Sequence, residues 1–257
     1  DMLLVPNRLI ASGFAIDEAT TLYGYLAGMA QPLILLATIP TTSLAVSLVP
    51  AVSEAFTLGD KEGIAKKAAM AMKLCCLITV PAAVGMSVMA EELSLLLYGT
   101  GKAAVAIMHS GPALWLLGMQ QVTTGVLQGM GKINIPMLNM VCGLAAKVCA
   151  VWFLTNATYN IAGAAWASNI NFGLAALLNI YVLYRFGIKF KWQEIAKVIL
   201  AASLMGVAAH FGYQVLVQAL AHRTLATIGA IGLAAVVYAV LLPCLGAINK
   251  EELRHLP

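Results

Sequence analysis

Charge is what this chain has least of: charged side chains make up 10% of its 257 residues and aromatic ones 7%. Soluble domains carry about 25% charged residues. With 61% apolar residues, this sequence has too few polar side chains to cover a globule facing water. A soluble enzyme, a secreted disulfide scaffold and a disordered chain are thereby excluded, and a membrane protein remains. The net charge of +4 is too small to argue for a nucleic-acid partner, and none is expected.

Reactive constellations are missing as well. His109, His210, His222 and His255 stand isolated, and no Ser or Cys has a base in a recognisable motif. Catalysis has no candidate residue, and no cofactor or metal is expected. The five cysteines are odd in number and none is spaced with His or Asp as metal ligands are. Cys75, Cys76, Cys142, Cys149 and Cys244 all fall in apolar runs and read as small core residues. A signal peptide is lacking too: the stretch from Met2 to Ile10 is too short, and residues 1–12 read as the end of a transmembrane helix whose beginning is absent, so that the sequence is expected to be part of a longer protein.

What is present is a series of long apolar runs at about 20–57, 61–89, 103–128, 133–154, 161–185, 192–219 and 222–246, read as seven complete spans. The first would reach about 57 Å as one helix, far beyond a hydrocarbon core of about 30 Å. Pro32, Pro40 and Pro50 therefore predict kinks in it, as Pro81 does in the second. Basic residues alternate between the two sides of these spans. Lys61, Lys66, Lys67, Lys73, Lys132, Arg185, Lys189, Lys191, Lys197, Lys250 and Arg254 share one side; Arg8, Lys102 and Arg223 share the other. By the positive-inside rule the first side, with the C-terminal tail, is cytoplasmic, and the protein is expected as a multi-pass membrane chain. Tyr and Trp near both predicted boundaries read as interfacial anchors. Gly24-x-x-x-Gly28 and Gly125-x-x-x-Gly129 permit close helix approach, a weak signal in a chain with 22 glycines.

The acids are expected at the two membrane faces, Asp1 on the outer one, and none at mid-membrane, where a cation-coupled exporter commonly keeps a carboxylate. Lys147 is the reverse case, about 10 Å from the outer end of its helix. Three readings stay open for it: snorkelling to the outer interface, a cavity-lining cation that meets a phosphate-bearing substrate, or a buried bond between helices. Gln121, Thr124 and Gln128 follow at i, i+3 and i+7, one stripe that turns to protein or water rather than lipid. Asn139 and Asn169 sit on the next two spans. These amides either glue helices together or line a hydrophilic cavity for sugar hydroxyls.

The stretch from Ala19 to Leu33, followed by Ser47-Leu48-Val49-Pro50-Ala51-Val52-Ser53-Glu54-Ala55, resembles the polysaccharide-transporter branch of the multidrug/oligosaccharidyl-lipid/polysaccharide exporter superfamily. Val80-Pro81-Ala82-Ala83-Val84-Gly85, Leu127-Gln128-Gly129-Met130-Gly131-Lys132, Ile135-Pro136 and Ile161-Ala162-Gly163-Ala164-Ala165 continue the pattern, and the likeness runs from Asp1 to Pro257. The resemblance implies an all-α integral membrane protein of two lobes plus two extra C-terminal helices. Residues 13–186 would be five spans of the C-terminal lobe, 187–257 the extra helices and a cytoplasmic tail, and the N-terminal lobe would be missing. It implies the flipping of undecaprenyl-linked cell-wall precursors by alternating access, with a sporulation branch linked to spore cortex peptidoglycan. Coupling to sodium, protons or the membrane potential, and partnership with the lipid-linked oligosaccharide, the membrane lipids and the missing lobe, belong to the same expectation. Lys147, Gln121, Thr124, Gln128, Asn139 and Asn169 are the candidate cavity residues. A cation-coupled multidrug antiporter and a non-transporting membrane scaffold are the alternatives.

Overall fold

A computed structural model describes residues 1–220 and 222–247, all-helical in every ordered element. The tail residues Lys250, Glu251, Glu252, Arg254 and His255, assigned above to the cytoplasmic side, lie outside the described residues. Six helices are long and apolar enough to cross a membrane: α4 (Ile39–Thr57), α5 (Lys61–Val88), α8 (Asn134–Leu154), α9 (Asn160–Arg185), α10 (Trp192–Leu220) and α11 (Arg223–Cys244). α1 (Leu4–Ala11) precedes them, and α6 (Ala90–Tyr98) is a short helix after α5. The outer faces are apolar: on α8, Leu138, Val141, Leu144 and Val148 are all exposed, an arrangement that suits acyl chains and not water.

Of the seven expected spans, 20–57 is broken where its prolines predict kinks at Pro32 and Pro40, and 103–128 departs from the sequence reading. The run 20–57 is broken into α2 (Ile16–Gly24), a π-helical turn (Tyr25–Ala30), α3 (Gln31–Ala37) and α4. Pro32 and Pro40 sit in the first turns of α3 and α4, where a residue without an N–H is tolerated, so each break falls just before a proline. α7 (Ala104–Gly129) is long enough to span but is not among the apolar six. It is the central helix, packed on α4, α5 and α9, and Ile107, Leu114, Val122, Val126 and Leu127 are fully enclosed. A helix sheltered by its neighbours does not need an apolar perimeter, which is why Gln and Thr residues gather on it.

Apolar side chains form two large clusters along the bundle, one around Met72, Val126 and Val198 and the other around Leu9, Leu114 and Ala165. Glycines set the closest approaches. A Cβ on Gly125 would lie 2.6 Å from the Ala45 carbonyl oxygen, and one on Gly129 would lie 2.8 Å from that of Val49, so this pair brings α7 onto α4. Gly24 and Gly28 meet nothing within 4 Å and host no such contact.

Prolines inside helices orphan a carbonyl four residues back, and in hydrocarbon that carbonyl needs a donor. The fold supplies two from neighbouring helices. Pro81 frees the Leu77 carbonyl, to which the Tyr238 hydroxyl of α11 donates (3.0 Å). Pro112 frees that of Met108, to which the Ser87 hydroxyl of α5 donates (3.0 Å). Each kink thus becomes a tie between helices. Tyr238→Phe is expected to cost about 1–3 kcal/mol by stranding the Leu77 carbonyl. A melting temperature unchanged in detergent would show that this bond carries no stability.

The cysteines divide. Cys75 and Cys76 are buried as expected, but Cys142, Cys149 and Cys244 are exposed. The expectation of five core cysteines assumed that an apolar run is an enclosed one; in a membrane bundle, apolar surface faces lipid, and a thiol is apolar enough to stay there.

Candidate functional site

α4 and α7 run side by side, and their contact leaves a groove of about 460 Å³. Gln121, Thr124 and Gln128 line it from α7, with Thr42 and the apolar residues Val46 and Val49 facing them from α4. The i, i+3, i+7 spacing on a 3.6-residue helix puts all three polar side chains on this one face. The Gln121 amide is tied to the Thr41 hydroxyl (2.6 Å), which steadies it at the groove wall, while Gln128 is exposed. Such a surface offers joint donors and acceptors over an apolar floor, the combination that binds hydroxylated ligands.

Asn139 belongs to the support of this wall rather than to the groove. Its amide donates to the Asn179 side-chain oxygen (2.8 Å), and the Asn179 amide donates to the Thr123 and Thr124 hydroxyls (3.1 Å each). One buried Asn therefore joins α7, α8 and α9, and Thr124 takes part in both the network and the groove. Asn169 stands apart from both. It is 3% exposed and donates to the His109 carbonyl (2.9 Å), and its own side-chain oxygen has no partner among the described residues.

Of the three readings open for Lys147, the structure shows the buried bond to a neighbouring segment. The residue is 9% exposed, and its ammonium is held by the Asp1 carboxylate (2.5 Å) instead of reaching for the outer interface. The register of α1 against α8 explains the pairing. Ser12 bonds the Thr155 carbonyl and Arg8 bonds that of Trp152 (2.8 Å), so the two helices run parallel, and Asp1 arrives at the level of Lys147. The expectation that no carboxylate lies inside the membrane is corrected here. The sequence reading puts Asp1 with the outer acids, yet α1 rises toward the outer face alongside α8, so its first residues are its deepest. Ser110, Ser168 and Gln31 line a cavity of about 110 Å³ next to Lys147.

The candidate residues thus fall into a groove (Gln121, Thr124, Gln128), a brace (Asn139) and an ion-paired cavity (Lys147), with Asn169 apart. Sequence reasoning missed Asp1, Thr42 and Gln31 as members of these sites. For Asp1 the available signal was Arg8: a short helix with its basic residue near the outer end carries its opposite end inward. Among the described residues no group of His, Cys, Asp or Glu could hold a metal ion.

No family model matches the chain. It is 30% identical over 257 residues to stage V sporulation protein B of Bacillus subtilis (strain 168), covering 99% of this chain and 49% of that protein. It is 23% identical over 123 residues to lipid II flippase MurJ of the same organism, covering 46% of this chain and 23% of the flippase. The fold is that of a multidrug resistance MATE family transporter of the MOP superfamily in an outward-facing conformation, with TM-score 0.59 at 18% identity over 94% of this chain and 60% of that one. The chain spans about half the length of the sporulation protein it matches. Its relatives with a named activity are a flippase and transporters rather than enzymes. This multi-pass membrane chain is thus similar in sequence to a sporulation protein and a lipid II flippase, and its fold is that of one part of a transporter of the MOP superfamily.

Proposed function

We propose that the protein containing this chain moves undecaprenyl-linked peptidoglycan or polysaccharide precursors across the bacterial plasma membrane by alternating access, in spore cortex formation. The chain supplies the C-terminal lobe, with residues 13–186 forming its spans and 187–257 two further helices and a cytoplasmic tail; the other wall of the vestibule comes from a second lobe. The observation that carries this reading is the α4/α7 groove, where two amides and a hydroxyl line one wall of a concavity. Sugar hydroxyls need such partners, because an unmatched polar group in oil costs several kcal/mol, of order 2–7. The ammonium of Lys147 adds the positive charge that a pyrophosphate needs within the bilayer, and a head group entering the lobe would compete with Asp1 for it. Driving force comes from a sodium or proton gradient or from the membrane potential.

The antiporter alternative draws on one observation, the Asp1 carboxylate inside the lobe. That carboxylate already has a fixed cation, so it offers an incoming sodium ion or drug cation no free charge while Lys147 is in place. The flippase reading is the better supported on this ground.

Replacing the groove stripe with isosteric apolar residues, Gln121→Leu, Thr124→Val and Gln128→Leu together, is expected to lower flipping of a fluorescent undecaprenyl-linked oligosaccharide in proteoliposomes at least about tenfold, since more than one ligand hydrogen bond is lost. The folded yield should change little for the two Gln positions. Full flux in the triple variant would remove the groove from the pathway and this function with it.

A further inference from the structure

A second concavity, sharing no lining residue with the groove, lies where α5 and α10 begin. It measures about 480 Å³, and four lysines line it against two glutamates: Lys66 and Lys73 from α5, Lys189 and Lys191 from the segment before α10, with Glu62 and Glu194. Glu194 bridges Lys73 (3.0 Å) and Lys191 (3.2 Å), which holds two of the cations in place on opposite sides. Lys66 and Lys189 form no ion pair among the described residues, and both are exposed. Both glutamates together leave the cleft positive, so it selects anions.

The other lining is apolar and sits at membrane-boundary height. Phe190 is buried in its floor, 5% exposed, and Met70 opens outward at 46%. Alongside, Trp192 donates to the Tyr184 hydroxyl (2.6 Å), and Phe190 packs edge-on against both rings (6.5 and 6.1 Å). Such aromatic clusters settle at the level of lipid head groups. A cleft that is cationic above and apolar below, at that level, matches a molecule with a phosphate above and hydrocarbon below.

We propose that this cleft binds the phosphate of an anionic phospholipid from the leaflet on the lysine-rich face, seating its head group across the junction of α5 and α10. Lys66 and Lys189 supply the free charge, the bridged pair Lys73 and Lys191 the fixed charge, and Met70 and Ile195 the contact for the upper acyl chain. A bound lipid would clip the α10/α11 hairpin to the rest of the lobe at its first turn, where the existing tie is the Lys73–Glu194 bridge. The site does not depend on which substrate the protein moves.

The test uses the full-length protein in phosphatidylcholine nanodiscs with and without phosphatidylglycerol, with lipid retained after delipidation counted by native mass spectrometry. Lys66→Gln and Lys189→Gln are each expected to weaken phosphatidylglycerol retention about fivefold, and together more. Lys61→Gln, a basic residue outside the cleft, should leave it unchanged, and melting temperatures certify folding of all three. Equal retention by wild type and double variant overturns the proposal, as does an equal loss in Lys61→Gln, which would make the attraction a property of the whole face. Displacement of the lipid by millimolar inorganic phosphate would assign the cleft to a free anion and overturn the lipid source.

Discussion

Gly163→Ala is expected to abolish most of the folded protein. A Cβ at this position would lie 2.0 Å from the Leu154 carbonyl oxygen, 2.4 Å from its carbon and 2.8 Å from the Thr155 nitrogen. All three are backbone atoms, so no rotamer change relieves the overlap. The turn itself is held: Thr155 is fully buried, its N–H bonds the Val151 carbonyl (3.0 Å), and the Asn156 side chain accepts from the Thr158 and Tyr159 N–H groups. Separating α8 from α9 by the ångström or more that a methyl requires would also pull on the Asn139–Asn179 bond deeper in the same interface. We expect a loss of at least about 3 kcal/mol, at the upper end for overpacking, read as a collapse of the monodisperse peak in fluorescence-detected size exclusion. Gly24→Ala is the matched control, because a Cβ there meets nothing and helical glycine is replaced at a gain. Wild-type yield for Gly163→Ala would show that the α8–α9 turn does not make this contact.

Lys147→Ala is expected to be damaging twice over, and a double variant separates the two effects. Removing the ammonium leaves the Asp1 carboxylate, whose side chain is 26% exposed, without its partner. Breaking a buried pair costs about 3–5 kcal/mol, and the residual exposure of Asp1 favours the lower figure. Asp1→Asn is expected to cost more, since it strands the better buried of the two charges, the Lys147 side chain at 11% exposure. Removing both, in Asp1→Asn with Lys147→Gln, leaves two neutral amides able to bond each other, so most of the melting temperature should return. Flux should stay low in that double variant if the ammonium serves the head group, because stability has been restored without restoring charge. Wild-type flux in the double variant would reduce the pair to a structural bond between α1 and α8.

Periodicity and charge made much of this legible before any coordinates. The positions of α5, α8, α9, α10 and α11 follow from apolar length, and the Gln121, Thr124, Gln128 stripe follows from 3.6-residue spacing. Those features depend on residues near one another in the chain, and their physical cause, an apolar side chain's preference for oil, acts residue by residue. The same logic misjudged Cys142, Cys149 and Cys244, because it cannot tell an apolar side chain facing lipid from one facing protein. It also counted α7 as an ordinary span although that helix is central, while the breaks ahead of Pro32 and Pro40 fall where the prolines predict kinks.

Tertiary packing decided what the polar groups do. Lys147 meets Asp1 across 146 positions of sequence, the Leu77 carbonyl meets Tyr238 across 161, and Asn179 gathers three helices into one network. A charge or a freed carbonyl in hydrocarbon takes whichever partner the fold brings near, since almost any hydrogen bond is better than none there. Which partner that is depends on helix register, and register is set by the contacts of Gly125, Gly129 and Gly163 with neighbouring backbones; the Gly125-x-x-x-Gly129 spacing announces a close approach but not which helix makes it.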